Sequence, residues 1–221
     1  AAGTINTGSN YTVVGTEAMK LTTTGSHNTA IGDKAMCTNT TANSNTAVGR
    51  EAMKLNTTGA FNTAVGTDTM VQNTTASNNA AFGYNALNLN TTGTALTAIG
   101  AYALDANTTA DDNTAVGTSA LSANTTGNLN TAVGRNTSMS ITTGAQNTAV
   151  GYAALDANVS GNCNTAVGLG ALGKVTGSEN TAIGDRAGDN LTTGSGNVML
   201  GSEAGASSAW LNFTTESNRL V

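Results

Sequence analysis

Twelve glycines recur down this chain at almost constant spacing: Gly15, Gly32, Gly49, Gly66, Gly83, Gly100, Gly117, Gly134, Gly151, Gly168, Gly184 and Gly201. Every gap is 17 residues except the 16 between Gly168 and Gly184. Each glycine closes a variant of Asn-Thr-Ala-Val-Gly, as at 45–49, 113–117 and 164–168. Ala then Leu or Met usually follows three and four places on, as at Ala52-Met53 and Ala120-Leu121. A Thr-Thr-Gly step comes next, as at Thr57-Thr58-Gly59. A fixed period near 20 residues means stacked structural units, because one such unit cannot bury its own apolar face. The spacing predicts a solenoid.

A helical-hairpin repeat needs about 30 residues or more, so 17 is too few. Asn-Thr-Ala-Val is a short run with β-branched residues alternating, which is a strand pattern. Glycine at its end permits the positive φ of a sharp turn. We expect a second short extended element through Ala-Leu, and a return turn at Asn-Thr-Thr-Gly, whose polar side chains can bond their own backbone. Segments such as Glu51–Lys54 are too short between breakers to hold a helix. The fold class is therefore all-β: a β-solenoid or β-roll of about twelve 17-residue coils over residues 1–205. Residues 206–221 read as a C-terminal cap or junction to a following fibre segment, with Trp210 and Phe213 covering the open end of the stack.

With the ladder glycine as position 0, every charge in the repeats falls at positions 1, 2, 5, 6, 11 or 12. None occupies the strand, the Ala-Leu pair or the Thr-Thr-Gly step, so inner and outer positions are constant. Position 2 reads Glu17, Lys34, Glu51, Asp68, and at position 1 Asp33 precedes Arg50, so an in-register stack sets opposite charges above one another. Asn28, Asn45, Asn62 and Asn79, then Asn113, Asn130, Asn147, Asn164 and Asn180, are expected to form amide ladders along one edge. Cys37 and Cys163 stand seven coils apart, about 34 Å at strand spacing, against the roughly 7 Å a disulfide allows. The net charge of −5 argues against nucleic acid as a partner. No stretch of about 18 apolar residues offers a membrane helix, and no membrane partner is expected. The chain opens without Met or an apolar leader, which leads us to expect a mature or excised fragment.

Few apolar side chains per coil make a thin core when one Val and one Leu are taken as its large members. A second packed surface would help, and the uncharged strand suits it. We therefore expect a parallel homotrimer, with Asn45, Thr46, Val48, Asn62, Thr63, Val65, Asn113, Thr114, Val116, Asn130, Thr131 and Val133 as interface or ladder residues.

The wording Asn-Thr-Ala-Val-Gly, x-x-Ala-Leu, x-x-Asn-Thr-Thr-Gly resembles repeats of bacteriophage tail-fibre and bacterial surface proteins. Those often precede a self-cleaving chaperone domain of the endosialidase type. More loosely, it is similar to the head repeats of trimeric autotransporter adhesins, from which it departs in its longer repeat and Thr-Thr turns. The resemblance implies a β-roll that trimerises. It also implies an extracellular place on a virion or cell surface, with other fibre or appendage proteins and a glycan or protein receptor as partners. The tail 216–221 resembles a junction into a following fibre domain.

Catalytic chemistry has little to stand on. His27 is the only histidine, so no Ser-His-Asp or Cys-His set assembles within one chain. Asp111-Asp112 is the one adjacent carboxylate pair, placed in a turn with no insertion to make a cleft. The glycine-rich turns lack the Gly-Lys-Ser/Thr of a phosphate loop. Sequons such as Asn39-Thr40-Thr41 arise from the repeat itself. We expect no enzyme activity, no cofactor and no metal. The expected function is a structural and adhesive shaft or head, about 55 Å long at about 4.8 Å per coil, holding a receptor-binding element at a distance. The alternative is an ice-binding β-solenoid using the column Thr29, Thr46, Thr63, Thr114, Thr131, Thr148 and Thr165.

Overall fold

In the computed structural model, residues 7–205 are described, and the regular structure among them is all β. It consists of twelve three-residue strands: β1 (Thr12–Val14), β2 (Thr29–Ile31), β3 (Thr46–Val48), β4 (Thr63–Val65), β5 (Ala80–Phe82), β6 (Thr97–Ile99), β7 (Thr114–Val116), β8 (Thr131–Val133), β9 (Thr148–Val150), β10 (Thr165–Val167), β11 (Thr181–Ile183) and β12 (Val198–Leu200). The chain divides into two units, Ala1–Asp112 with β1–β6 and Asn113–Val221 with β7–β12. Each is a parallel β-solenoid. In the first, Thr46 pairs with Thr29 on one side and Thr63 on the other, and every strand follows that register. In the second, Thr131 lies between Thr114 and Thr148 in the same way. The 16-residue gap is absorbed without a slip, since Thr165 still pairs with Thr181. Trp210 and Phe213 lie outside the described residues.

The ladder glycines hold φ between 134° and 141° from Gly15 to Gly184, a backbone that L side chains rarely adopt. The next seven residues are neither helix nor the second extended element expected from Ala-Leu. The second and fourth of them take positive φ, as at Glu51 (56°) and Met53 (52°). Successive N–H groups therefore alternate between neighbours. Met36 N donates to Ala52 C=O in the next coil (2.9 Å), whereas Cys37 N donates to Lys34 C=O in its own (3.2 Å). A left-handed Met or Leu costs about 1–2 kcal/mol. Full burial of that side chain contributes about 1.5–3 kcal/mol, and Met53, Met70, Leu87 and Leu104 are wholly buried. Burial wins, so the strained turn persists.

The strand also faces the other way from the thin-core estimate. Side chains alternate across a strand, and here Asn and Ala point in, leaving Thr and Val out. Ala47, Ala64, Ala115 and Ala132 are fully buried, while Val14 is 58% and Ile183 45% exposed. A coil this narrow takes Ala beside the strand and gives its large inward places to the Met or Leu four residues after most of the glycines, and to Leu96, Ile141, Val175 and Leu191 elsewhere in the repeat. The Val that ends the strand is not a core residue here.

Candidate functional site: the outward strand face and the amide columns behind it

Two features repeat through both units: an uncharged outer face on the strands and a polar interior that holds them in register. Of the residues expected at an interface or ladder, the structure separates two groups. Asn45, Asn62, Asn113 and Asn130 are buried to within 1%. Thr46, Thr63, Thr114 and Thr131 are half-buried on the outer surface, as are Val48, Val65 and Val116, with Val133 slightly more open.

The asparagines are an interior ladder and not an edge. Asn62 N donates to Asn45 Oδ1 (2.9 Å), Asn79 N donates to Asn62 Oδ1 (3.0 Å), and Asn62 Nδ2 donates to Ala76 C=O (2.9 Å). Each asparagine is therefore tied to the column on both sides, by its backbone N–H to the residue before and by its side chain to residues further on. Buried amides are tolerated because their donors and acceptors are met.

A second column lies seven residues after each glycine, and sequence reasoning took it for turn chemistry. Asn39, Asn56, Asn73, Asn90 and Asn107 are fully buried. Asn73 Nδ2 donates to Asn56 Oδ1 (2.8 Å) and to Ala76 C=O (3.1 Å). The signal was their unbroken 17-residue spacing.

Both columns converge on the carbonyl ten residues after each glycine. Ala42, Gly59, Ala76 and Gly93 each accept from one asparagine of either column. Where one column lapses, the other remains. Leu96 replaces an asparagine, and Asn107 still serves Ala110 C=O (3.2 Å). Ile141, Val175 and Leu191 interrupt the second column, and Asn130, Asn164 and Asn180 serve Gly144, Gly177 and Gly194. At the first coil Thr22 stands in the second column and Tyr11 in the first, and the Tyr11 hydroxyl donates to Gly25 C=O. A buried carbonyl left unpaired costs about 1–3 kcal/mol, which accounts for the pattern.

A threonine column adds to this. Thr23, Thr40, Thr57 and Thr74 each donate from Oγ1 to the carbonyl of the residue 17 places on, at 3.0–3.1 Å. The outward strand threonines bear the other face.

In front of that interior, the strand face carries no ionisable group. The second outward position holds Ile31, Ile99 and Val150 at 37%, 42% and 37% exposure. Charges stand beside the face, not on it. Arg50 reaches Asp68 (2.7 Å) and Glu51 (3.4 Å), and Lys34 meets Glu51 at 4.0 Å. The stack of position 2 is thus realised at Lys34–Glu51, while Arg50 pairs forward to Asp68. Such exposed pairs contribute about 0–1 kcal/mol.

Other candidates are dispersed. His27 Nε2 lies 3.0 Å from Asn10 Nδ2 on the surface. Asp111 accepts from Thr94 N (2.6 Å) and Thr94 Oγ1 (2.9 Å), which makes it a turn residue. Both cysteines are free thiols. Tyr84 and Tyr102 pack edge to face with centroids 5.3 Å apart, and Arg135 lies 5.9 Å from the Tyr152 ring. Among the described residues no group of three or more His, Cys, Asp or Glu is placed to hold a metal ion. The asparagines of sequons such as 39–41 and 56–58 are buried inside the coil.

Asp105 and Asp156 occupy the same repeat position, five after the glycine, and each buries Oδ1 without a partner. Burial pushes both carboxyls above the ordinary aspartate range. The folded state therefore binds that proton more tightly than the unfolded chain. Its penalty is present above the shifted value and is relieved as pH falls through it. Asp156→Asn should raise the urea midpoint at pH 7, by an amount tempered by partial solvent exposure, and match the parent in acid. Equal midpoints at pH 7 would contradict the unpaired carboxylate.

Comparison with protein-family models, with curated proteins and with solved structures finds no match to this chain.

Proposed function

We propose that this chain is a structural and adhesive segment of an extracellular fibre, a virion tail fibre or a cell-surface appendage, in which three copies run parallel. The strand face is the contact between copies. One observation carries the reading: an uncharged Thr-and-Val surface recurs on strand after strand, with its β-branched side chains partly exposed and unmatched within the chain. Contiguous exposed apolar surface marks interaction sites, and depletion of charge is typical of interface cores. The interior amide columns support a mechanical role, since each coil is tied to the next by side chains as well as backbone. The fibre would hold a receptor-binding element away from its particle, with other fibre proteins and a surface glycan or protein as partners.

Absolute mass by light scattering on dilute protein tests this. A mass near three times 21.8 kDa is the expected result. A single-chain mass at all concentrations would count against it.

A second reading, ice binding, rests on the same face, because Thr29, Thr46 and Thr63 do stand outward in register. It requires the face to be free. A single-chain mass together with thermal hysteresis would favour it, and a trimer without ice shaping would remove it.

A further inference from the structure

We propose that copies of this chain associate in a single register, fixed by Phe82 of one copy seating over Ala80 of the next. This rests on the self-association reading above. In ten of the twelve strands the first outward residue is Thr and the second is Val or Ile. A face built that way fits about equally well when neighbours stand level, which lets a parallel ring close, and when each is stepped by one coil, which winds into an open stack, so its regular strands do not choose between these registers. Something irregular must choose.

Strand β5 is that irregularity. It reads Ala80-Ala81-Phe82, so the first outward column loses volume and the second gains it within one strand. Its neighbours are ordinary: Ala80 sits between Thr63 and Thr97, and Phe82 between Val65 and Ile99. The Phe82 ring stands out from the face with 40% of its surface exposed. The other unusual strand, β12, carries Val198 and Leu200 outward. Neither is small, so β12 offers no matching hollow.

In a parallel ring of identical chains each contact is head-to-tail, so one edge of the face meets the opposite edge of its neighbour. The Val column of one copy then lies against the Thr column of the next. In register, the largest side chain of one column meets the smallest of the other at β5. A slip by one coil puts the Phe82 ring on a threonine and a Val or Ile over Ala80. That leaves one overpacked contact and one hollow at each interface, and both are unfavourable. One distinctive residue pair in an otherwise uniform seam is a known means of specifying register.

The test uses the full chain and measures association by sedimentation and light scattering. Ala80→Phe sets ring against ring and should weaken association about tenfold or more. The exchange Ala80→Phe with Phe82→Ala should restore it, because knob and hollow trade places. Both positions face outward, and circular dichroism checks that the coil is kept. If Ala80→Phe does not fold, Phe82→Val only deletes the ring, and it too should loosen the assembly. Ala80 and Phe82 are also neighbours within one strand, so the rescue must appear in the association constant and not in the unfolding midpoint of dissociated chains. Rescue confined to that midpoint overturns the proposal. An oligomer indifferent to Ala80→Phe overturns the register assignment and leaves self-association standing. An unaltered chain that stays single at every concentration overturns both.

Discussion

Gly66→Ala should lower the stability of the first unit by on the order of 3–5 kcal/mol. Two effects add. The residue sits at φ 138°, where a side chain is strained whatever the space around it. A Cβ there would also fall closer than 3 Å to the carbonyl group of Gly83 in the next coil. That carbonyl cannot retreat easily. Gly66 N donates to Val48 C=O (2.8 Å) and Gly83 N donates to Val65 C=O (2.9 Å), so moving the coils apart breaks the bonds that stack them. Gly170→Ala is the comparison. Its φ is 61°, and the nearest atom to a new Cβ is Arg186 Cγ at 3.7 Å. Only the left-handed penalty of about 1–2 kcal/mol remains. Urea midpoints read by circular dichroism should therefore drop far more for Gly66→Ala than for Gly170→Ala. Similar drops would mean that close approach of the coils is not what the glycine ladder serves.

That ladder was plain in the sequence, and so was the strand before it, because a 17-residue spacing broken by a single 16-residue step leaves few folds open. The direction of the strand was not. Alternation alone allows two phases, and hydropathy favours the one that buries Val48 and Val65. What decides the other is a cooperative property. Asn45 or Asn62 alone is a poor core residue, but a column of them meets its own hydrogen-bonding needs from coil to coil. The column was legible as an amide ladder, but its place inside the coil was not.

The Ala-Leu segment escaped for a different reason. Left-handed backbone at Met36 and Leu87 contradicts local preference, and it is stable only because burial and bonds to the next coil outweigh the strain. Asn73 and its equivalents were visible as a period but were assigned to turns, since asparagine is common there. For the face itself, the absence of charge was legible, while its outward aim was available only once Ala64 and its equivalents were seen to fill the inside.

The convergence of the two amide columns gives the other large effect. Ala76 C=O receives Asn62 Nδ2 at 2.9 Å and Asn73 Nδ2 at 3.1 Å. Asn73→Leu removes one of these donors and leaves the other in place, as Ile141, Val175 and Leu191 do in the second unit. Asn62→Leu follows the precedent of Leu96, and Asn73 keeps the carbonyl paired. The double substitution removes both donors and leaves a buried carbonyl without a partner. The expected signature is a double that is worse than the sum of its singles by about 1–3 kcal/mol. Asn62→Leu combined with Asn90→Leu provides the control. Asn90 serves Gly93 C=O, which Asn79 also serves, so each carbonyl keeps one donor and the two effects should add. Four urea titrations per cycle measure both couplings. Additivity in the Asn62/Asn73 cycle would show that the two columns do not back each other up, and the alternation of their lapses would then need another cause. Coupling in that cycle alone would mean that the chain can lose an asparagine wherever its counterpart stands, which is how a repeat this polar inside can vary from coil to coil and still stack.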